Sequence, residues 1–100
     1  MSKNGMRAIH PGEVLREDVL AELGMTPHAL AVALRVPASR INDIVLERRA
    51  MTADTALRLS RYLGTTAQFW MNLQSAYDLK RAAKDSAARI EQDIRPRKAA

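Results

Sequence analysis

Arg40, Asn42, Arg48 and Arg49 crowd into one short window of the chain. A guanidinium fork matches the two acceptors on the major-groove edge of guanine, and a carboxamide matches adenine. Arg40 is therefore the first candidate for a bidentate base contact, and Asn42 the second, provided that its helical phase faces the partner. Arg48 and Arg49 suit phosphates, which fix position rather than read sequence. Just ahead stand Pro37, Ala38 and Ser39. Small residues let a helix lie deep in a groove. Ala38 can touch a thymine methyl, and Ser39 can bond a base or a phosphate. Asp43 completes the outward or edge-lying set. Further upstream, Thr26, Arg35 and the free N–H groups at the start of the preceding helix are phosphate candidates, and His28 lies beside them in sequence. The plain alternative has Arg40 pairing with Asp43 on a solvated face, and Arg48-Arg49 as a solvated turn.

Other chemistry finds little support. His10 and His28 are far apart and there is no Cys, so no metal site is expected. No Ser/His/Asp or paired-carboxylate constellation emerges, so neither catalysis nor a cofactor is expected. Glu13, Glu17 and Asp18 fit the acidic first turn of a helix, where the macrodipole favours them.

The elements that must hold this window are helices. No stretch alternates apolar and polar residues long enough for a convincing strand. Pro11 opens a first helix over 12–22, and Gly24 stops it. Its apolar residues, Val14, Leu15, Val19, Leu20 and Leu23, recur at spacings of four and five. Thr26-Pro27 marks a second start, with a helix over 27–34 whose inward residues are Leu30, Ala31 and Leu34. Val36-Pro37 opens a third over 37–46, carrying Ile41, Ile44 and Val45. The link between these two is so short that it allows only a sharp corner. Thr52 caps a fourth helix over 53–63, ended by Gly64. Thr66 caps a fifth over 67–81, along which Phe69, Trp70, Leu73 and Tyr77 form one stripe for the core or a dimer interface. A weak sixth helix spans 85–94. Residues 1–8 are read as a flexible start, 9–80 as the domain, and 81–100 as a helical extension with a basic tail.

Composition agrees with a small globular domain. The chain has 100 residues, 47% hydrophobic and 27% charged, and a formal net charge of +5. That charge suits an anionic partner but does not identify one. No apolar run approaches the roughly 18 residues of a membrane span, and no signal peptide is visible. A cytoplasmic setting fits a chain without Cys.

The window Thr26–Thr52 has the order of a helix-turn-helix: capped short helix, tight corner, second short helix, basic loop. The helical plan resembles the Xre/Cro-type helix-turn-helix family, an all-α, five-helix Cro/lambda-repressor-like domain, here with a C-terminal helical extension. The flanks narrow the likeness. Ile9-His10-Pro11-Gly12-Glu13-Val14-Leu15, Val36-Pro37-Ala38-Ser39-Arg40-Ile41-Asn42, Thr52-Ala53-Asp54-Thr55-Ala56-Leu57-Arg58-Leu59 and Phe69-Trp70-Met71-Asn72-Leu73-Gln74-Ser75-Ala76-Tyr77-Asp78-Leu79 are similar to segments of HigA-type antitoxins. One feature departs from that pattern. Many members carry Gly in the loop after helix 3, where this chain reads Leu46-Glu47-Arg48-Arg49, so a looser turn is expected there.

The resemblance implies a homodimer on double-stranded operator DNA. It further implies that the chain neutralises a HigB-type toxin, a RelE-like RNA-cleaving protein, and is not itself the nuclease. A toxin that acts on RNA is expected to be basic, which would steer it away from the basic helix-turn-helix face. It would go instead to the acidic first helix (Glu13, Glu17, Asp18, Glu22) or to Asp85, Glu91 and Asp93. Two other functions compete: an Xre-type regulator without a toxin partner, and a helical adaptor that binds only protein.

Overall fold

The computed structural model describes residues 7–98. Most of the expected flexible start, 1–8, lies outside that range. All regular structure among the described residues is helical. The first rod runs through Pro11–Val14, a π-helical turn Leu15–Leu20, and Ala21–Leu23; together they are α1. Then come α2 (Pro27–Leu34), α3 (Ala38–Val45), α4 (Ala53–Leu63) and α5 (Ala67–Asp93).

The helix starts follow the expected chemistry. Thr26 Oγ1 accepts from Ala29 N–H at 3.0 Å, and Thr66 Oγ1 accepts from Phe69 N–H at 3.0 Å. Thr52 Oγ1 accepts from Thr55 N–H at 3.4 Å. Each cap satisfies an N–H that the helix leaves free. Pro37 is itself the N-cap of α3, one position outside the helix that it was expected to begin.

The π-turn gives the spacing of five in α1 its meaning. Residues five apart on a regular α-helix diverge by about 140°. An i→i+5 turn is wider, so Leu15 and Leu20 both reach the core. Around them pack Leu30, Ala31, Leu34, Ile41, Ile44, Val45, Met51, Ala56, Leu59 and Trp70. Trp70 is fully buried, and its Nε1–H donates to Thr65 Oγ1 at 3.0 Å. It belongs to the core and cannot line a partner surface. Leu73 packs against that core and Tyr77 is half-buried; of the aromatic stripe only Phe69 stands exposed.

The fifth and sixth expected helices are one. Residues 82–84 lie between the helices expected over 67–81 and 85–94, and they too are helical. Lys80-Arg81-Ala82-Ala83-Lys84 contains only strong helix formers, and propensity carries the helix through without packing. Burial ends where the stripe ends, since from Asp78 onward every described residue but the half-buried Ser86 is exposed. The boundary placed at 80/81 is therefore a change of burial inside one helix. The protruding half contributes to a longest dimension of 53 Å.

His10 fixes the start of α1. Its Nδ1 accepts from Gly12 N–H at 2.8 Å, and its ring meets Tyr77 edge-on at 4.8 Å. Nδ1 can accept only while unprotonated. Burial pushes the imidazole pKa down, with Arg16 adding to the effect; Glu47, Asp78 and the Arg49 backbone oppose it. Folding therefore favours the neutral ring. The stabilisation is full above the ordinary imidazole value of 6.5 and is lost as pH falls below it through the depressed native value. Urea midpoints compared at pH 7.5 and pH 5.0 should fall more for the natural protein than for His10→Asn, which keeps a capping oxygen but cannot titrate. Equal falls would remove His10 as the cause.

Candidate nucleic-acid interface

The corner that sets α3 against α2 is closed without glycine. Arg35 follows α2 with φ 61°, in the left-handed region. Its N–H bonds Val32 O, and Val36 N–H bonds Ala31 O, both at 3.1 Å. These two bonds satisfy carbonyls at the helix end. The exit from α3 repeats the device. Glu47 has φ 63°, its N–H reaches Ile44 O at 2.9 Å, and Arg48 N–H reaches Asp43 O at 2.8 Å. The turn after α3 is thus as tight as a glycine turn, contrary to the looser one expected. The left-handed conformation costs a non-glycine residue about 1–2 kcal/mol. Glu47 receives support from Arg16, whose Nη2 lies 3.4 Å from its carboxylate and whose Nη1 donates to Val45 O.

Two further contacts fix the far end of α3. Gly12 packs directly against the Ile44 carbonyl, leaving no room for a side chain. Met51 N–H, in the loop beyond, donates to the buried Gln74 Oε1 at 2.7 Å. Gln74 Nε2–H then donates to Asp78 Oδ1 at 2.9 Å. The basic loop 46–52 is thereby tied to α5. Gln74 was not singled out in the sequence, although a Gln within the Trp70–Tyr77 stripe is the signal that could have found it.

With α3 anchored, its outer face is defined. Ala38, Ser39 and Asn42 are exposed and follow one another at helical spacing, so Asn42 shares the face of Ala38. Pro37 is exposed at the head of that face. Arg40 and Asp43 are half-buried at its edge, turned toward α4 and the basic loop. They do not pair with each other. Arg40 Nη1–H donates to Asp54 Oδ2 at 2.7 Å. Asp43 takes both loop arginines, Arg48 at 3.0 Å and Arg49 at 3.2 Å. In the free chain Asp43 therefore holds the loop cations. A cleft of about 180 Å³ opens between the two groups, lined by Arg40, Arg49, Ala50, Thr52, Asp54 and Thr55.

Thr26 and His28 are exposed at the start of α2, and Arg35 at its other end, so these three do not form one cluster. Asp54 and Arg58 were not singled out as site residues. The Asp-Arg spacing of four is the signal that predicts their pairing, at 2.9 Å here. Both neighbouring guanidiniums, Arg58 foremost and then Arg40, hold the Asp54 carboxyl below the usual carboxylate range. On α1, Glu13 takes Arg7 at 2.6 Å and Glu17 takes Arg16 at 3.0 Å, so part of the acidic face is already neutralised. Among the described residues, no group of His, Cys, Asp or Glu could hold a metal ion, and no helix is long and apolar enough to cross a membrane.

Residues 15–70 match the helix-turn-helix family. Virulence-associated protein I of Dichelobacter nodosus is 63% identical over 83 residues, covering 83% of this chain and 77% of that protein. Antitoxin HigA-1 of Vibrio cholerae is 35% identical, covering 79% of this chain and 74% of that protein. A solved structure of the Pseudomonas aeruginosa antitoxin HigA with the higBA promoter superposes with a TM-score of 0.88. It is 53% identical and covers 90% of this chain and 98% of that one.

Proposed function

Because the chain belongs to the HigA-type antitoxins of the Xre/Cro helix-turn-helix family, we propose that it is a sequence-specific operator-binding antitoxin. It represses its own operon and neutralises a HigB-type, RelE-like toxin that cleaves mRNA. The single observation that carries this proposal is the promoter-bound antitoxin HigA, whose fold this chain matches at 53% identity over nine-tenths of its length. The exposed face of α3 supports it locally, being narrow and small enough to enter a major groove.

In this proposal Ala38, Ser39 and Asn42 face the base edges, with Pro37 at the groove entrance and Arg40 contacting guanine. Arg48 and Arg49 leave Asp43 for phosphates. Thr26, His28 and the free amides of α2 meet the backbone at one side, and Arg35 serves as a further phosphate contact. The working unit is a cytoplasmic homodimer, since one helix-turn-helix reads few base pairs and two half-sites lie about 34 Å apart, or a multiple of it. Phe69 and the exposed Leu79 and Ile90 of α5, with Ile94 just beyond it, offer apolar surface for it. Residues 9–80 act as the DNA-binding domain and the rest of α5 as its extension. The protein has no catalytic part.

The toxin docks away from α3, on carboxylates such as Asp18 and Glu22, because like charge disfavours the α3 face. Changing Arg40, Arg48 and Arg49 together to Ala should therefore abolish operator retention in a gel shift. Purified HigB-type toxin should stay neutralised by the same variant. Loss of both activities in a folded variant would place both sites on one surface and refute the separation.

A further inference from the structure

A chain of charge-assisted hydrogen bonds links the helix-turn-helix corner to Arg40. Arg58 Nη1–H donates to Leu34 O, the last carbonyl of α2, at 2.9 Å. Arg58 Nε–H donates to Asp54 Oδ2 at 2.9 Å, and the same oxygen accepts from Arg40 Nη1–H at 2.7 Å. Asp54 sits in the first turn of α4, held by the Thr52 cap. The carboxylate is therefore fixed from two sides before any ligand arrives. Among the described residues, Arg40 engages a partner through Nη1 alone. Its Nε–Nη2 edge keeps two parallel donors, the pattern that guanine O6 and N7 accept.

We propose that Asp54 is a specificity-determining residue, which acts by holding the Arg40 guanidinium in one orientation and presenting its Nε–Nη2 edge to the operator. The inference rests on the proposed base contact of Arg40. A fixed fork discriminates because a wrong base pair leaves its donors unpaired. A loose arginine keeps its rotamer freedom and turns to whatever anion is near. Here that anion is a phosphate beside the cleft that Arg40, Arg49 and Thr52 line. Asp54 thus suppresses sequence-independent binding twice: it restrains Arg40, and it sets a negative charge beside the backbone path.

The experiment measures affinity at fixed salt for the operator, for an operator with one altered base pair per half-site, and for unrelated DNA. Asp54→Ala should lower the operator-to-altered ratio about tenfold at the position that Arg40 contacts. Its affinity for unrelated DNA should stay level or rise. Asp54→Asn, which keeps the shape and removes the charge, should act in the same direction. In an Arg40→Ala background, Asp54→Ala should change the ratio no further. A merely structural Asp54 would lower thermal stability and weaken all three DNAs alike, leaving the ratio intact. An unchanged ratio in both Asp54 variants, with Arg40→Ala lowering it, overturns the inference alone. If Arg40→Ala also leaves the ratio unchanged, the base contact falls and the inference with it.

Discussion

Gly12→Ala is expected to destabilise the fold by about 3 kcal/mol or more, the upper range for overpacking a tight interior. A Cβ at this position would lie 1.7 Å from the Ile44 carbonyl oxygen and 2.7 Å from its carbon. Both atoms are backbone, so no side chain can swing aside. Intrinsic propensity runs the other way, since Ala in a helix is better than Gly by roughly 0.5–1 kcal/mol. The clash decides the sign. Relief requires that α1 and the end of α3 move apart, and the same displacement strains Arg16 on Val45 O and the turn at Glu47. Operator affinity should fall even for the folded fraction, because the basic loop moves with that turn. Urea unfolding followed by circular dichroism supplies the test. A midpoint equal to that of the natural protein would contradict the close approach of α1 to α3.

Arg40→Ala is expected to cost about 1–3 kcal/mol per half-site, the worth of one bidentate base contact. On a two-site operator the loss doubles to about 2–6 kcal/mol, or about 30-fold to 10⁴-fold in affinity. The preference should relax at one base pair in each half-site and hold elsewhere. Stability should change little, because the Arg40–Asp54 pair is solvent-accessible and such pairs contribute about 0–1 kcal/mol. Fluorescence anisotropy at one salt concentration reads both effects. A neutral result with an intact fold would place the recognition face elsewhere on the molecule.

The contrast between Arg40 and Asp43 shows why the site was only partly legible in the sequence. The window, its small residues and its arginines could all be named from their order. Which carboxylate met which arginine could not, because the pairings span 5 to 14 residues and depend on how loops return. Asp43 was the nearer partner for Arg40, three residues along the same helix. Asp54 won because the Thr52 cap and Arg58 hold its carboxylate beside Arg40.

The sequence by itself determined where each of the five helices starts, to within a residue. Caps and stops act within four residues, so Thr26, Thr52, Thr66, Gly24 and Gly64 mark helix ends wherever the chain goes. The apolar spacing determined which faces turn inward, and with them the helix-turn-helix order. Tertiary structure alone decided three things. It let Glu47 take a left-handed turn without glycine, because Arg16 arrives from α1 to support it. It placed Gln74 under the basic loop, 23 residues away in sequence. It also paired Arg40 with Asp54 and left Asp43 to the loop arginines, pairings that depend on how the chain returns. Local hydrogen bonding is written in neighbouring residues, whereas close approach and long-range pairing exist only once the helices have packed.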